Sequence, residues 1–532
     1  MLTLIIGRGK SGKTTKLLQS VKDCPATGMA RRIVIVPEQL SHSTERKLSE
    51  LCGDSISYVS EVLSFTRLYS RVCSIYGGGA RQVLDESGRI LTVQLALSSI
   101  RHRLKVFASA AGKPEFLSSI VSMIDELKSY DVTPELLRET AKNTTGMFSE
   151  KLSELALILG AYEAVTAQSA SDPRDNLTLL KNKLRDGDYA LGRHFFVDGF
   201  TDFSAQELGV LRELLKQCEK MTITVPCDEL LSDAGLFAPG RETAQQLIQL
   251  GRECGNEVRI ITAAYQRSLP EDRTYLEKSL FDYKANAYEG CAESIFISEF
   301  SEKLEECRRC GAVLKAHAMQ GMRYRDMMVC AGDEKHYGPL LETILRTMDI
   351  PLYRTEKQSV LSHPAVAFLT LALEATTDNL ETETITAYLK TGYSGVSPDD
   401  CDAIENYAIT WAIRGSKWIR EWTMHPDGYD GRFTPEAEAE LYALNEKKNG
   451  AISPILHLQT KLKNAENVRA QMTAIYEFLE ETKLLESLEA QIRIDTETGR
   501  QKEAQETAQI WGLLMDCLQQ ITTVLGMTAK KT

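Results

Sequence analysis

Residues 7–14 read Gly-Arg-Gly-Lys-Ser-Gly-Lys-Thr, a string that leaves a chain little choice of local fold. The spacing is that of a phosphate loop: Gly, four residues, Gly, Lys, then Ser or Thr. Its surroundings agree. Leu2 to Ile6 form an apolar run of strand length, and Thr15-Lys16-Leu17-Leu18 open a helical pattern, so the glycines fall at a strand-to-helix turn. Small residues there let successive backbone N–H groups close on phosphate oxygens, aided by the positive end of the helix dipole. Gly7, Gly9, Lys10, Ser11, Gly12, Lys13, Thr14 and Thr15 are therefore the expected cradle for ATP. Lys13 would reach the terminal phosphates and Thr14 would ligate Mg2+. The simpler alternative, a glycine-rich turn that binds nothing, is disfavoured by this context.

A phosphate loop needs a second strand that ends in an acid, and His194-Phe195-Phe196-Val197-Asp198-Gly199-Phe200-Thr201-Asp202-Phe203 supplies one. Asp198 is placed to hold the metal ion. The segment resembles the corresponding strand of superfamily 1 helicases, which ends Asp-Glu, the Glu polarising the attacking water. Gly199 occupies the Glu position. A glycine cannot accept a proton, and the loss of a positioned base typically costs ~10²–10⁴ in rate. The pairing predicts a chain that binds nucleotide and hydrolyses it poorly. Asp198-Gly199 as a mere turn at a strand end is the alternative.

With 532 residues the chain is too long for one core. Its 43% hydrophobic and 26% charged content is globular. No apolar run approaches the ~18 residues of a membrane helix, so a cytoplasmic protein without membrane contact is expected. Twelve scattered cysteines suit a reducing compartment. Cys307 and Cys310 form a Cys-x-x-Cys pair with no second pair nearby and are read as structural. The net charge of −12 is uneven: residues 1–100 carry +5 and the remainder −17. A locally basic start leaves room for a groove that tracks a phosphate backbone, although a solvated charged face explains it equally well.

Periodicity divides the chain into an α/β segment 1–85, a helical insertion 86–188, a returning α/β segment 189–290, a second α/β segment 291–375 and a further helical block 376–532. Strands are expected at Ile33 to Val36, Ile56 to Val59, Phe195 to Asp198, Thr222 to Val225 and Met327 to Cys330. The sequence stops at Lys531-Thr532 without returning to a strand pattern, which predicts a truncated chain.

Five segments together resemble the N-terminal part of the B subunit of the AddAB-type ATP-dependent helicase/nuclease, also called RexB. They are the phosphate loop, Val36-Pro37-Glu38-Gln39, Leu63-Ser64-Phe65-Thr66-Arg67-Leu68, Val197 to Phe203, and Glu405-Asn406-Tyr407 with Trp418. Ser362-His363-Pro364 and Arg323-Tyr324-Arg325-Asp326 fit as well. The resemblance implies a P-loop, RecA-like, superfamily 1 helicase-like α/β fold with large helical insertions, kept as a nucleotide-binding scaffold without motor activity. It implies an A subunit as partner in a heterodimer, contact with single- and double-stranded DNA during double-strand-break repair, and a share in recognising the hotspot Chi. Gln39, Phe65 and Arg67 fall in the family's single-strand-contacting segments. An amide can read base edges, a ring can stack on a base and Arg can meet phosphate. Core packing and strand-end hydrogen bonding are the alternatives for Phe65 and Gln39.

Departures limit these expectations. Where the resemblance calls for an arginine finger after Met327 to Cys330, the sequence reads Ala331-Gly332-Asp333-Glu334. Full-length relatives carry a nuclease domain, with 5'-3' exonuclease activity, stapled by an iron–sulfur cluster. Neither its acid-plus-lysine motif nor its clustered cysteines occur here, so no nuclease activity and no iron are expected of this chain.

Overall fold

The computed structural model describes residues 1–24, 32–53, 56, 60–78, 83–169, 171–231, 235–263, 270–281, 284–354, 359–429 and 431–526. They form two compact units, Met1–Tyr265 with Val360–Thr532, and Gln266–Ser359.

The larger unit is organised by one sheet of six strands: β1 (Leu2–Gly7), β2 (Arg32–Ile35), β3 (Ser60–Leu63), β4 (His194–Val197), β5 (Lys220–Pro226) and β6 (Val258–Thr262). Their order is β3-β2-β4-β5-β1-β6, and every neighbouring pair is parallel. All strand carboxyl ends therefore share one edge, where open α/β sheets place their ligands. The apolar runs are continuous because both faces are covered. Leu2, Leu4, Ile6, Ile33, Ile35, Phe195 and Val197 meet the helices Phe65–Tyr76, Asn176–Asp186, Ala205–Gln217 and Ala238–Glu253. Their sequence neighbours Ile5, Val34, Val36 and Phe196 turn to the other face, against Leu17, Leu18 and Val21 of helix Lys13–Lys22 and Leu48 of helix Ser41–Cys52. That alternation is the two-residue period of a pleated strand. The result is a RecA-like α/β sheet with helical insertions. Of the expected strand Ile56 to Val59, residues 57–59 lie outside the described residues; β3 begins at Ser60.

Between β3 and β4 the chain builds a helical insertion with its own apolar core, in which Val93, Leu97, Ile120, Ile124, Leu159 and Tyr162 are buried. One buried ion network crosses it. Asp172, fully buried, accepts hydrogen bonds from Lys128 Nζ (2.8 Å), Tyr162 Oη (2.9 Å) and Arg174 N (2.9 Å), and lies 3.3 Å from Arg89 Nε. Asp125 and Asp175 complete it through Arg89 and Lys128. Burial opposes the charge on Asp172, yet Lys128, the Arg174 N–H and Arg89 outweigh it and hold the carboxyl below its usual range.

Residues 360–526 form a second helical body around Phe368, Tyr388, Tyr407, Trp418, Ile455 and Phe478. The ring of Tyr407 stacks on Trp422 at 4.4 Å, and the buried Lys448 donates to Arg420 O at 2.8 Å. The final helix, Gln501–Leu525, packs on Glu86–Ile100 of the first insertion. Gln520 donates to Val83 O (3.1 Å), and Val524 meets Leu84.

In the smaller unit, helices Lys303–Met319 and Glu334–Thr347 pack together. The expected strand Met327 to Cys330 is corrected here: these residues are extended but join no sheet among the described residues. Strand propensity alone does not make a strand when no neighbour supplies the ladder hydrogen bonds. They line a cavity of about 1350 Å³ with Leu341, Leu345, Leu352 and Tyr353. Among the described residues no helix is long and apolar enough to cross a membrane.

Candidate nucleotide-binding site

The sequence places the phosphate loop between β1 and helix Lys13–Lys22, and the structure keeps it there. Gly12 precedes the helix with φ +83°, and no side chain caps the helix N-terminus, so its first N–H groups remain available to an anion. Nothing lies within 4 Å of where a side chain on Gly9 would begin. The Lys13 ammonium folds back on its own loop, donating to Gly7 O and Arg8 O at 2.7 Å each. Burial holds it below the ordinary lysine value, and attraction to Asp198 and Cys227 pulls it part of the way back. The buried Ser11 hydroxyl has no hydrogen-bond partner, an orphan that a phosphate oxygen in the loop would satisfy. Thr14 is half-buried, whereas Lys10 and Thr15 are exposed.

Asp198 follows β4 and is buried. Its N–H donates to Ile35 O at 3.0 Å, and its carboxylate accepts from Thr224 Oγ1 of β5. Thr14 and Asp198 are hard oxygen donors of the kind magnesium takes. Gly199 has φ +84°, and a Cβ on it would sit 2.7 Å from Leu40 Cδ1 and 3.2 Å from Pro37 Cδ. A side chain at this position would be strained by the positive φ, and none is encoded. Two further acids lie close by in sequence, Asp202 and Glu207. Glu207 is held in a capping box, accepting from Ser204 N (2.8 Å) and Ser204 Oγ (3.0 Å), and the exposed Asp202 accepts from Thr201.

Gln39 is exposed on the single turn Glu38–Leu40 after β2. Arg67, half-exposed, lies 3.3 Å from Glu38 and 3.7 Å from Glu45. Phe65 differs from its expected role: it is 7% exposed and meets Phe200 edge-on at 5.5 Å, so in this conformation no ring face is free for a base. In the smaller unit Asp333 caps helix Glu334–Thr347 by accepting from His336 N at 3.3 Å; the Ala331 to Glu334 segment presents no cation.

Comparison with known families places the chain itself. Residues 4–279, just over half of the 532-residue chain, match the family described as ADDB, N-terminal. The chain belongs to that family. It is 28% identical over 541 residues to the B subunit of the ATP-dependent helicase/deoxyribonuclease of Clostridium acetobutylicum. Against proteins of the same name from Thermoanaerobacter sp. (strain X514) and Clostridium botulinum (strain Loch Maree), identity is 29% and 28% over 545 residues. Each alignment covers 99% of this chain and 47% of the relative. The chain thus spans about half the length of the curated relatives it matches.

Two residues of this AddB-family chain escaped the sequence reading. Asp228 and Arg241 form a buried ion pair at 2.9 Å just beyond the carboxyl end of β5. Twelve intervening residues separate them, and neither belongs to a motif whose spacing could have singled it out.

Proposed function

We propose that this chain is the nucleotide-binding, hydrolysis-poor, helicase-like portion of a two-subunit helicase/nuclease acting on DNA ends in recombinational repair in the bacterial cytoplasm. The observation that carries the reading is the cradle: an uncapped helix N-terminus, Lys13 resting on its own loop carbonyls and Asp198 nearby, beside Gly199, which supplies no carboxylate. The relatives are named as the B subunit of an ATP-dependent helicase/deoxyribonuclease, which supports ATP as ligand and an A subunit as partner. Magnesium held by Thr14 and Asp198 would neutralise phosphate charge. Lys13 binds the terminal phosphates and exchanges its two carbonyl partners for phosphate oxygens.

Titration calorimetry with ATP, together with phosphate release in magnesium, tests this. The wild type is expected to bind ATP with negligible turnover. Lys13→Ala, which removes charge-assisted hydrogen bonds, should weaken binding about 10–100-fold. DNA-stimulated turnover near ~1 s⁻¹, ordinary for an enzyme, would overturn the reading in favour of a working ATPase.

Contact with single-stranded DNA, and through it a part in recognising Chi, is proposed for the Gln39 and Arg67 segment. The two side chains stand exposed on neighbouring strand ends. Arg67→Ala should weaken single-strand binding and lower the slope of log affinity against log salt by about 1. Phe65→Leu should leave affinity unchanged while costing under ~1.5 kcal/mol in stability. A large loss of affinity in Phe65→Leu would show that the ring leaves the core to meet a base.

A further inference from the structure

We propose that Arg241, held by Asp228, reads the terminal phosphate of a nucleoside triphosphate in the cradle and makes the site prefer triphosphate to diphosphate. This rests on the nucleotide-binding reading above and adds to it the residue that sets the preference.

Strand order locates the pair. β5 lies between β1 and β4, so the residues that leave its carboxyl end emerge between the phosphate loop and Asp198. Cys227 N donates to Gly7 O at 3.2 Å, which ties that end to the first glycine of the loop, and Asp228 is the next residue. The lysine of a phosphate loop reaches the β- and γ-phosphates, so the far end of a triphosphate lies on this side of the cradle. Burial and Asp228 push the Cys227 thiol up, while the positive charges of Arg241 and Lys13 pull it down.

The helix Ala238–Glu253 aims Arg241 at this place. A Cβ on Gly240 would sit 2.0 Å from Pro226 O, so the helix start is pressed against the end of β5. Thr243 Oγ1 reaches Thr201 O at 3.3 Å, joining the same helix to the chain that follows Asp198. Just before the helix, Phe237 carries the Arg8 guanidinium 5.0 Å from its ring centre, joining it to the loop. One helix start therefore touches all three segments of the cradle.

Stability alone is a weak reason for a buried pair here. A buried ion pair is often no better than apolar residues of the same volume, and a cation in the first turn of a helix opposes the dipole. A guanidinium fork fits two phosphate oxygens at once. Among the described residues of the larger unit, Arg241 is a buried cation beside the end of β5 that can take this part.

The test measures ATP and ADP affinity by calorimetry on the full chain, in magnesium, for the wild type, Arg241→Gln and Asp228→Asn. The wild type should bind ATP more tightly than ADP. Arg241→Gln should lose about 10–100-fold for ATP, the size of a lost charge-assisted contact, with ADP changed less than about twofold. Asp228→Asn should lose ATP affinity by a smaller factor in the same direction. Equal losses for both nucleotides, or none, overturn the proposal while leaving the cradle intact; a wild type that binds neither overturns the cradle reading and this one with it. Should Arg241→Gln not fold, Arg241→Lys decides, since it keeps the charge without the fork. A several-fold loss confined to ATP supports the proposal, and an unchanged ATP-to-ADP ratio overturns it.

Discussion

Gly199→Glu, which places a carboxylate after Asp198, is expected to yield a less stable protein with no gain in ATP turnover. The substitution forces a side chain onto a backbone with φ +84° and drives its Cβ to 2.7 Å from Leu40. A non-glycine residue in such a conformation costs ~1–3 kcal/mol, and the exposed Leu40 side chain must shift to admit the Cβ. Relief of that strain would swing the new side chain away from where water must be held. Thermal unfolding and phosphate release measure the two halves of the prediction. Gly199→Ala isolates the steric part, because it carries the same Cβ without the carboxylate. A Gly199→Glu protein with wild-type stability and turnover near ~1 s⁻¹ would mean that the turn relaxes, and that the site is one substitution away from an ATPase.

Asp172→Ala should damage the first helical insertion more than any surface change. It removes the acceptor shared by Lys128, Arg89 and Tyr162 and leaves two buried cations with fewer carboxylates, a loss of ~3–5 kcal/mol when a buried ion pair is broken. The pH dependence has a definite sign. Because the folded carboxyl of Asp172 lies below its ordinary value, its contribution is complete above the unfolded pKa of about 3.9 and is lost as pH falls through the lower folded pKa. Asp175, pushed up by burial although it faces the same lysine, works in the opposite direction. The acid-side slope is the difference between the two. Chemical denaturation of wild type and variant at neutral pH and near pH 3 checks both points: the gap should be wide at the first and narrower at the second. An equal gap at both would remove Asp172 as the titrating group.

The cradle was legible because a phosphate loop is local. Eight consecutive residues between an apolar run and a helical pattern fix the turn, and Phe195 to Asp198 announced the second strand by its apolar run and terminal acid. What stayed hidden depends on packing between distant segments. At Gly199 the positive φ and the nearness of Pro37 and Leu40 to any added Cβ show only in the fold. Phe65 carried a stacking role in the sequence reading, yet the rings of Phe200 and Phe203 take it into the core. β3, an edge strand with one neighbour, holds polar Ser60 and Glu61, Glu61 pairing with Arg71, and such residues carry no apolar strand signal. Met327 to Cys330 misled in the other direction, apolar without a partner. Asp228 and Arg241 meet only because a helix start is pressed on a strand end.

The contact between Gln520 and Val83 spans 437 positions of the chain. A ribosome adding ~5–20 residues per second needs roughly 20–90 s to cover that distance. For all of that time Leu84 and Leu91 on the first insertion wait for Val524 and Leu525. The phosphate loop and its sheet can close as soon as β6 has been made, but the helical face beside them stays greasy and uncovered until the last helix arrives. Throughout that interval the insertion carries an apolar face with nothing yet made to cover it, the kind of surface that drives nascent chains to aggregate.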